Sequence, residues 1–102
     1  MSKMCEFKII KQNDNSQIGE EILVLSYGEN NELFLKDVLG MGEKIDSALI
    51  LDVNTLSQEA VILEHPLIKD FIGLMRGVVK KTATSEQVAT FQSALDDLKK
   101  SL

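Results

Sequence analysis

Apolar and polar positions follow one rhythm up to residue 64 and another from residue 66. In residues 4–11 they alternate, with Cys5, Phe7 and Ile9 on one side and Glu6 and Lys8 on the other. That period of two is the mark of a half-buried strand. Asn13-Asp14-Asn15-Ser16 follows, a cluster of residues that tolerate left-handed backbone and form turns. Residues 21–27 (EILVLSY) predict a second strand, and residues 28–31 a hairpin turn. A third strand is expected over 32–39. The Gly40-Met41-Gly42 break comes next, then a fourth strand over 45–53, a turn at 54–57 and a fifth strand over 60–64. Short strands with a turn signal roughly every 8–12 residues indicate a small antiparallel barrel or meander. Strands and helices do not alternate, so no parallel sheet is expected. In the second strand Leu23, Leu25 and Tyr27 oppose Ile22 and Val24, all apolar. Both faces of the sheet therefore call for cover.

The rhythm changes at His65-Pro66. Leu67, Ile68, Phe71, Leu74, Met75, Val78 and Val79 recur at three and four residues, a wide helical stripe. Pro66 suits a first helical turn, where its missing N–H is not needed. Lys80 and Lys81 suit the C-terminal end, where cations meet the helix dipole. Thr82-Ala83-Thr84 breaks the helix. Thr84 and Gln87 have the spacing of a capping box. Val88, Phe91, Leu95, Leu98 and Leu102 then form a heptad-like seam on a second helix. Two helices with so short a break predict an antiparallel hairpin. Gly73 and Gly77 allow a close approach to the first helix, and the burial reading is that it packs on the sheet. Lys69, Asp70 and Arg76 on the same helix argue against a membrane setting. The expected organisation is a β domain over 1–65 and a helical extension over 66–102.

Composition narrows the class without naming a function. The 102 residues are 44% hydrophobic and 26% charged, with six Gly and one Pro, as in an ordinary globular domain. No apolar run reaches the roughly 18 residues of a membrane helix, and MSKMCEFKIIKQ lacks the apolar core of a signal peptide. One Cys excludes a disulfide within the chain, so a reducing cytoplasm is expected. The charge is uneven. Residues 1–65 carry 5 Lys/Arg and 12 Asp/Glu, a net −7, and residues 66–102 carry 6 and 4, a net +2. Phosphate contacts need clustered cations, so nucleic acid is not the expected partner. If it binds, the candidates are Lys69, Arg76, Lys80 and Lys81 on the helices.

Chemistry-bearing residues are few: one Cys, one His, one Tyr and no Trp. Cys5 and His65 could meet as a nucleophile and base. No oxyanion donor, Gly-rich nucleophile turn or P-loop accompanies them, so an enzyme is not expected. By burial habit Cys5 reads as a core residue on the Phe7/Ile9 face, and His65 as a satisfied residue at the junction.

Met4-Cys5-Glu6-Phe7-Lys8-Ile9 resembles the Met-Cys opening of the CooT-type family, small proteins also described as predicted RNA-binding proteins. The resemblance continues through residues 20–25, LFLKDVLG at 33–40, ILDV at 50–53 and VILE at 61–64, and so covers 4–64. Its specific part is the Met-Cys start followed by this strand order. It implies a five-stranded SH3-like antiparallel barrel, a homodimer, and nickel binding through the Cys beside the initiator Met, here Cys5. Met1-Ser2-Lys3 stand before that pair, and the short family members have no counterpart of 66–102. A chain starting at Met4 would expose Cys5 as a terminal residue with both amine and thiolate. Two Cys5 thiolates brought together by a two-fold axis, completed by amines, backbone nitrogens or His65, would suit Ni(II) in a square plane and Zn(II) in a tetrahedron. The expected role is that of a nickel carrier or accessory factor, with a metalloenzyme maturation partner. RNA binding and protein interaction through the helices are the alternatives.

Overall fold

The alternating region resolves into six strands: β1 (Phe7–Lys11), β2 (Ser16–Tyr27), β3 (Leu33–Asp37), β4 (Gly42–Ile45), β5 (Ala48–Asn54) and β6 (Glu59–Glu64). Two helices follow, α1 (Pro66–Lys80) and α2 (Ser85–Ser101). The computed structural model describes residues 6–102. The protein is therefore mainly β with C-terminal α, as the two rhythms predict.

The six strands form one mixed sheet in the order β4-β3-β2-β1-β6-β5. Four of its pairings are antiparallel, and β1 runs parallel to β6, with Ile9 level with Ala60. This corrects the expectation of an all-antiparallel sheet. Parallel neighbours need a long crossover, usually helical. Here the intervening strands themselves make that connection. The expected five strands become six because the chain bends at Asp46-Ser47, inside the stretch expected as a single strand, and Gly42–Ile45 pairs with β3. The third strand ends at Asp37, whose carboxylate takes the N–H groups of Leu39 and Met41 and so holds a turn. Pairing ends at β4 on one side and β5 on the other, so the sheet is not closed by hydrogen bonds.

β2 is twelve residues long and shifts register against both neighbours near Ile22. Glu21 takes a left-handed φ of 55° there, as bulges do when they bend a strand. The bent sheet wraps around Phe7, Ile9, Ile22, Leu33, Leu35, Ala48, Ala60 and Ile62. Asn13 extends the β1–β6 side: its amide donates to the Glu64 carbonyl at 2.8 Å and its oxygen accepts the Glu64 N–H at 2.9 Å.

Both helices start as the sequence predicts. Pro66 occupies the first turn of α1. Thr84 caps α2 in a complete capping box with Gln87. Lys81 closes α1 in a left-handed conformation, φ 62°. Among the described residues, neither helix contains a buried one.

Candidate functional site

The junction of sheet and helices is built around two hydroxyls. Ser47, buried where the chain bends into β5, donates its proton toward the carbonyls of His65 and Pro66 and accepts the Lys69 N–H at 2.8 Å. It thereby satisfies one of the N–H groups that a helix start leaves without a partner. Tyr27 at the end of β2 reaches β5, although β1 and β6 lie between those strands in the sheet. Its hydroxyl donates to the Ala48 carbonyl at 2.8 Å and accepts the Ile50 N–H at 3.1 Å. Burial pushes the phenol pKa above its ordinary value, and the Ile50 hydrogen bond opposes this more weakly.

His65 is the N-cap of α1. Its Nδ1 accepts the Leu67 N–H at 3.1 Å, which places the ring proton on Nε2. Binding a metal through Nε2 would require that proton to leave, and moving it to Nδ1 would break the cap. The exposed imidazole therefore serves the helix start, in line with its reading as a satisfied junction residue. Cys5, the expected metal ligand, lies outside the described residues. The first described residue, Glu6, is half-buried and leads into the buried Phe7 of β1. Among the described residues no group of three or more His, Cys, Asp and Glu side chains is arranged to hold a metal ion.

The four helical cations do not form one free patch. Lys69 Nζ pairs with Asp46 at 3.2 Å. Arg76 Nη1 donates to the Gly28 carbonyl and to Asn31 Oδ1, both at 2.8 Å, and so ties α1 to the β2–β3 turn. Lys80 and Lys81 are exposed at the far end of α1. Gly73 lies against the same turn: a Cβ there would come within 2.8 Å of the Asn31 amide. Gly77 sits against Ala83 in the loop between the helices, and its carbonyl accepts the N–H groups of Thr82 and Ala83. The Gly pair thus answers two separate close approaches, one to the sheet and one to the interhelical loop.

The apolar surplus is left open rather than covered. On the sheet Val24, Phe34, Leu49, Leu51 and Val53 are exposed. On the helices Phe71, Met75 and Val78 of α1 and Val88 and Leu95 of α2 are exposed. The rings of Phe71 and Phe91 meet at 5.9 Å and join the helices into a hairpin. A groove of about 560 Å³ lies between α1 and α2 and reaches Asn31, with Gly73, Leu74, Gln87 and Ala94 among its walls. Sequence periodicity found these stripes and read the one on α1 as packed against the sheet. Ser47 and Tyr27 carried no sequence signal that distinguished them from other polar strand residues. No helix among the described residues is long and apolar enough to cross a membrane. Compared with known proteins, the chain matches no family model and no curated protein.

Proposed function

We propose that this chain is a cytoplasmic metal-binding protein rather than an enzyme. In this reading it holds a soft divalent ion, Ni(II) before Zn(II), through the Cys5 thiolate, and serves as a carrier or accessory factor to a metalloenzyme maturation partner. The observation that supports it is where the Met4-Cys5 opening leads: through half-buried Glu6 directly into β1, whose Phe7 and Ile9 belong to the core. A ligand attached so close to a central strand is tethered to the most constrained part of the sheet. The reach of Tyr27 from β2 to β5 supports the finer reading of the β domain as an SH3-like barrel, open in its hydrogen bonding between β4 and β5. A homodimer would bring a second thiolate to the metal. The RNA reading has less support, because Lys69 and Arg76 are engaged within the chain.

Calorimetric titration of Ni(II) tests the proposal. Cys5→Ser should lose nearly all affinity while circular dichroism shows the fold intact. His65→Ala should keep the affinity, because Nδ1 is committed to the helix cap. A chain beginning at Cys5 should bind more tightly than one beginning at Met1, since it adds a terminal amine. Thiolate ligation releases protons, so affinity should fall as pH falls. Equal affinity of Cys5→Ser and the parent chain would overturn the metal reading.

A further inference from the structure

We propose that the hollow between the bend of β2 and the β3–β4 turn is a docking site for an extended, arginine-bearing segment of a partner protein, which pairs with the open edge of β2. This goes beyond the metal reading and uses neither Cys5 nor a second copy of the chain.

An unpaired strand edge borders the hollow. β2 pairs with β1 over Ser16–Ile22, but with β3 only from Ile22 onward, where Ile22 stands level with Asp37. β3 ends at Asp37, and the chain turns away. Residues 18–20 of β2 therefore have a strand on one side and none on the other. Backbone groups on such an open side are a template for one more strand. The end strand β5 offers less, because its Ala48 carbonyl and Ile50 N–H are already taken by the Tyr27 hydroxyl.

The hollow beside that edge has a volume of about 330 Å³. Its apolar lining includes Ile22 and Leu35 of the core. Met41 also lines it and is 68% exposed, and Leu39 in the same turn is 79% exposed. The turn holds them in place: Asp37 accepts the N–H groups of Leu39 and Met41, and its own N–H donates to the Met41 carbonyl. The surface is formed before any partner arrives, so little ordering cost falls on binding.

Charge selects the occupant. Glu20, Asp37 and Glu43 border the hollow. The ion pairs of Glu32 with Lys44 and of Asp46 with Lys69 involve none of the three. Lys36 alternates to the face opposite Leu35. Apolar lining beside carboxylates suits a side chain with an apolar stem and a cationic head. Arg suits it better than Lys, because its planar fork can bridge two carboxylates. Among the described residues these carboxylates form no group arranged to hold a metal ion, and their charge repels phosphate. An extended peptide answers both features: its backbone pairs with β2, while alternate side chains turn toward the hollow.

The test uses the full chain and a fluorescent octapeptide of alternating Arg and Thr, followed by anisotropy at physiological salt. The peptide should bind, and an octapeptide of alternating Glu and Thr should not. Glu20→Gln with Glu43→Gln should weaken binding at least about threefold, as loss of two exposed ion pairs does, whereas Asp96→Asn on α2 should leave it unchanged. Methylating every backbone nitrogen of the Arg–Thr peptide keeps its charge and removes its N–H donors. That should weaken binding about tenfold or more. Amide exchange gives a readout that does not depend on the variants: bound peptide should slow exchange within residues 18–20. No binding up to about 1 mM, equal binding of the methylated peptide, a double variant no weaker than Asp96→Asn, or protection confined to the helices would each overturn the proposal. None of these results bears on nickel affinity, so the metal reading stands or falls separately.

Discussion

Tyr27 shows how much one hydroxyl can do at the point where the sheet curls. It donates to Ala48 and accepts from Ile50, and so holds β2 to β5 where no ladder joins them. Only the neutral phenol can donate, and burial favours that form, so the folded pKa lies above the unfolded value of about 10. The sign of the linkage follows. The hydroxyl's contribution is complete below the unfolded pKa and is lost as pH rises through the higher folded pKa. Tyr27 is the single tyrosine, so ultraviolet titration of phenolate absorbance reports it alone. The midpoint in the folded chain should lie above that in denaturant, and equal midpoints would contradict the burial account. Tyr27→Phe should cost about 1 kcal/mol at neutral pH in urea unfolding, because the Ala48 carbonyl and Ile50 N–H lose their partner. It should also remove this part of the alkaline loss of stability.

At the scale of elements, α1 is tethered at both ends of its contact with the sheet. Ser47 holds its first turn, and Arg76 clasps the β2–β3 turn through Gly28 and Asn31. Gly73 lets the helix backbone approach that turn. With little apolar burial between the hairpin and the sheet, these polar ties should govern docking. Arg76→Ala should therefore speed amide hydrogen exchange throughout α1 while the exchange of β1 and β6 stays unchanged. Uniform acceleration across the chain would show instead that the hairpin and sheet open as one unit. The sheet edges differ as well. β4 is four residues long with Glu43 and Lys44, a blunt edge, whereas β5 is longer and carries exposed Leu49, Leu51 and Val53. The register shift between Ile50 and Asp52 is the irregularity that keeps β5 from presenting a flat ladder.

For the whole molecule, the division of charge at Pro66 survives folding: an acidic sheet is joined to a weakly basic hairpin. Two of the hairpin's cations are drawn toward the sheet, and that lowers what remains for phosphate. Binding to single-stranded RNA at physiological salt should be weaker than about 10 µM, in the range of non-specific electrostatic association. Fluorescence anisotropy at two salt concentrations checks this. Submicromolar binding that weakens steeply with salt would restore the RNA reading.

The sequence by itself determined the elements that depend on near neighbours. The period of two before residue 64, the period near 3.6 after it, the Pro66 start and the Thr84–Gln87 box all arise within a few residues, and all are present in the structure. The expected strand over 45–53 was misread because Asp46 and Ser47 bend the chain without a Gly or Pro to mark the place. Only the tertiary structure decided the parallel pairing of β1 with β6, the reach of Tyr27 to β5, and the clasp of Arg76 on Asn31. Those partners are separated by tens of residues; Asn13 and Glu64 are 51 apart. Hydrophobic period specifies which side of a strand or helix is apolar, but not which distant surface meets it. For the same reason the stripe on α2 is legible as a stripe, while its partial exposure is evident only in the structure, where the sheet curls around its own core and leaves the hairpin outside.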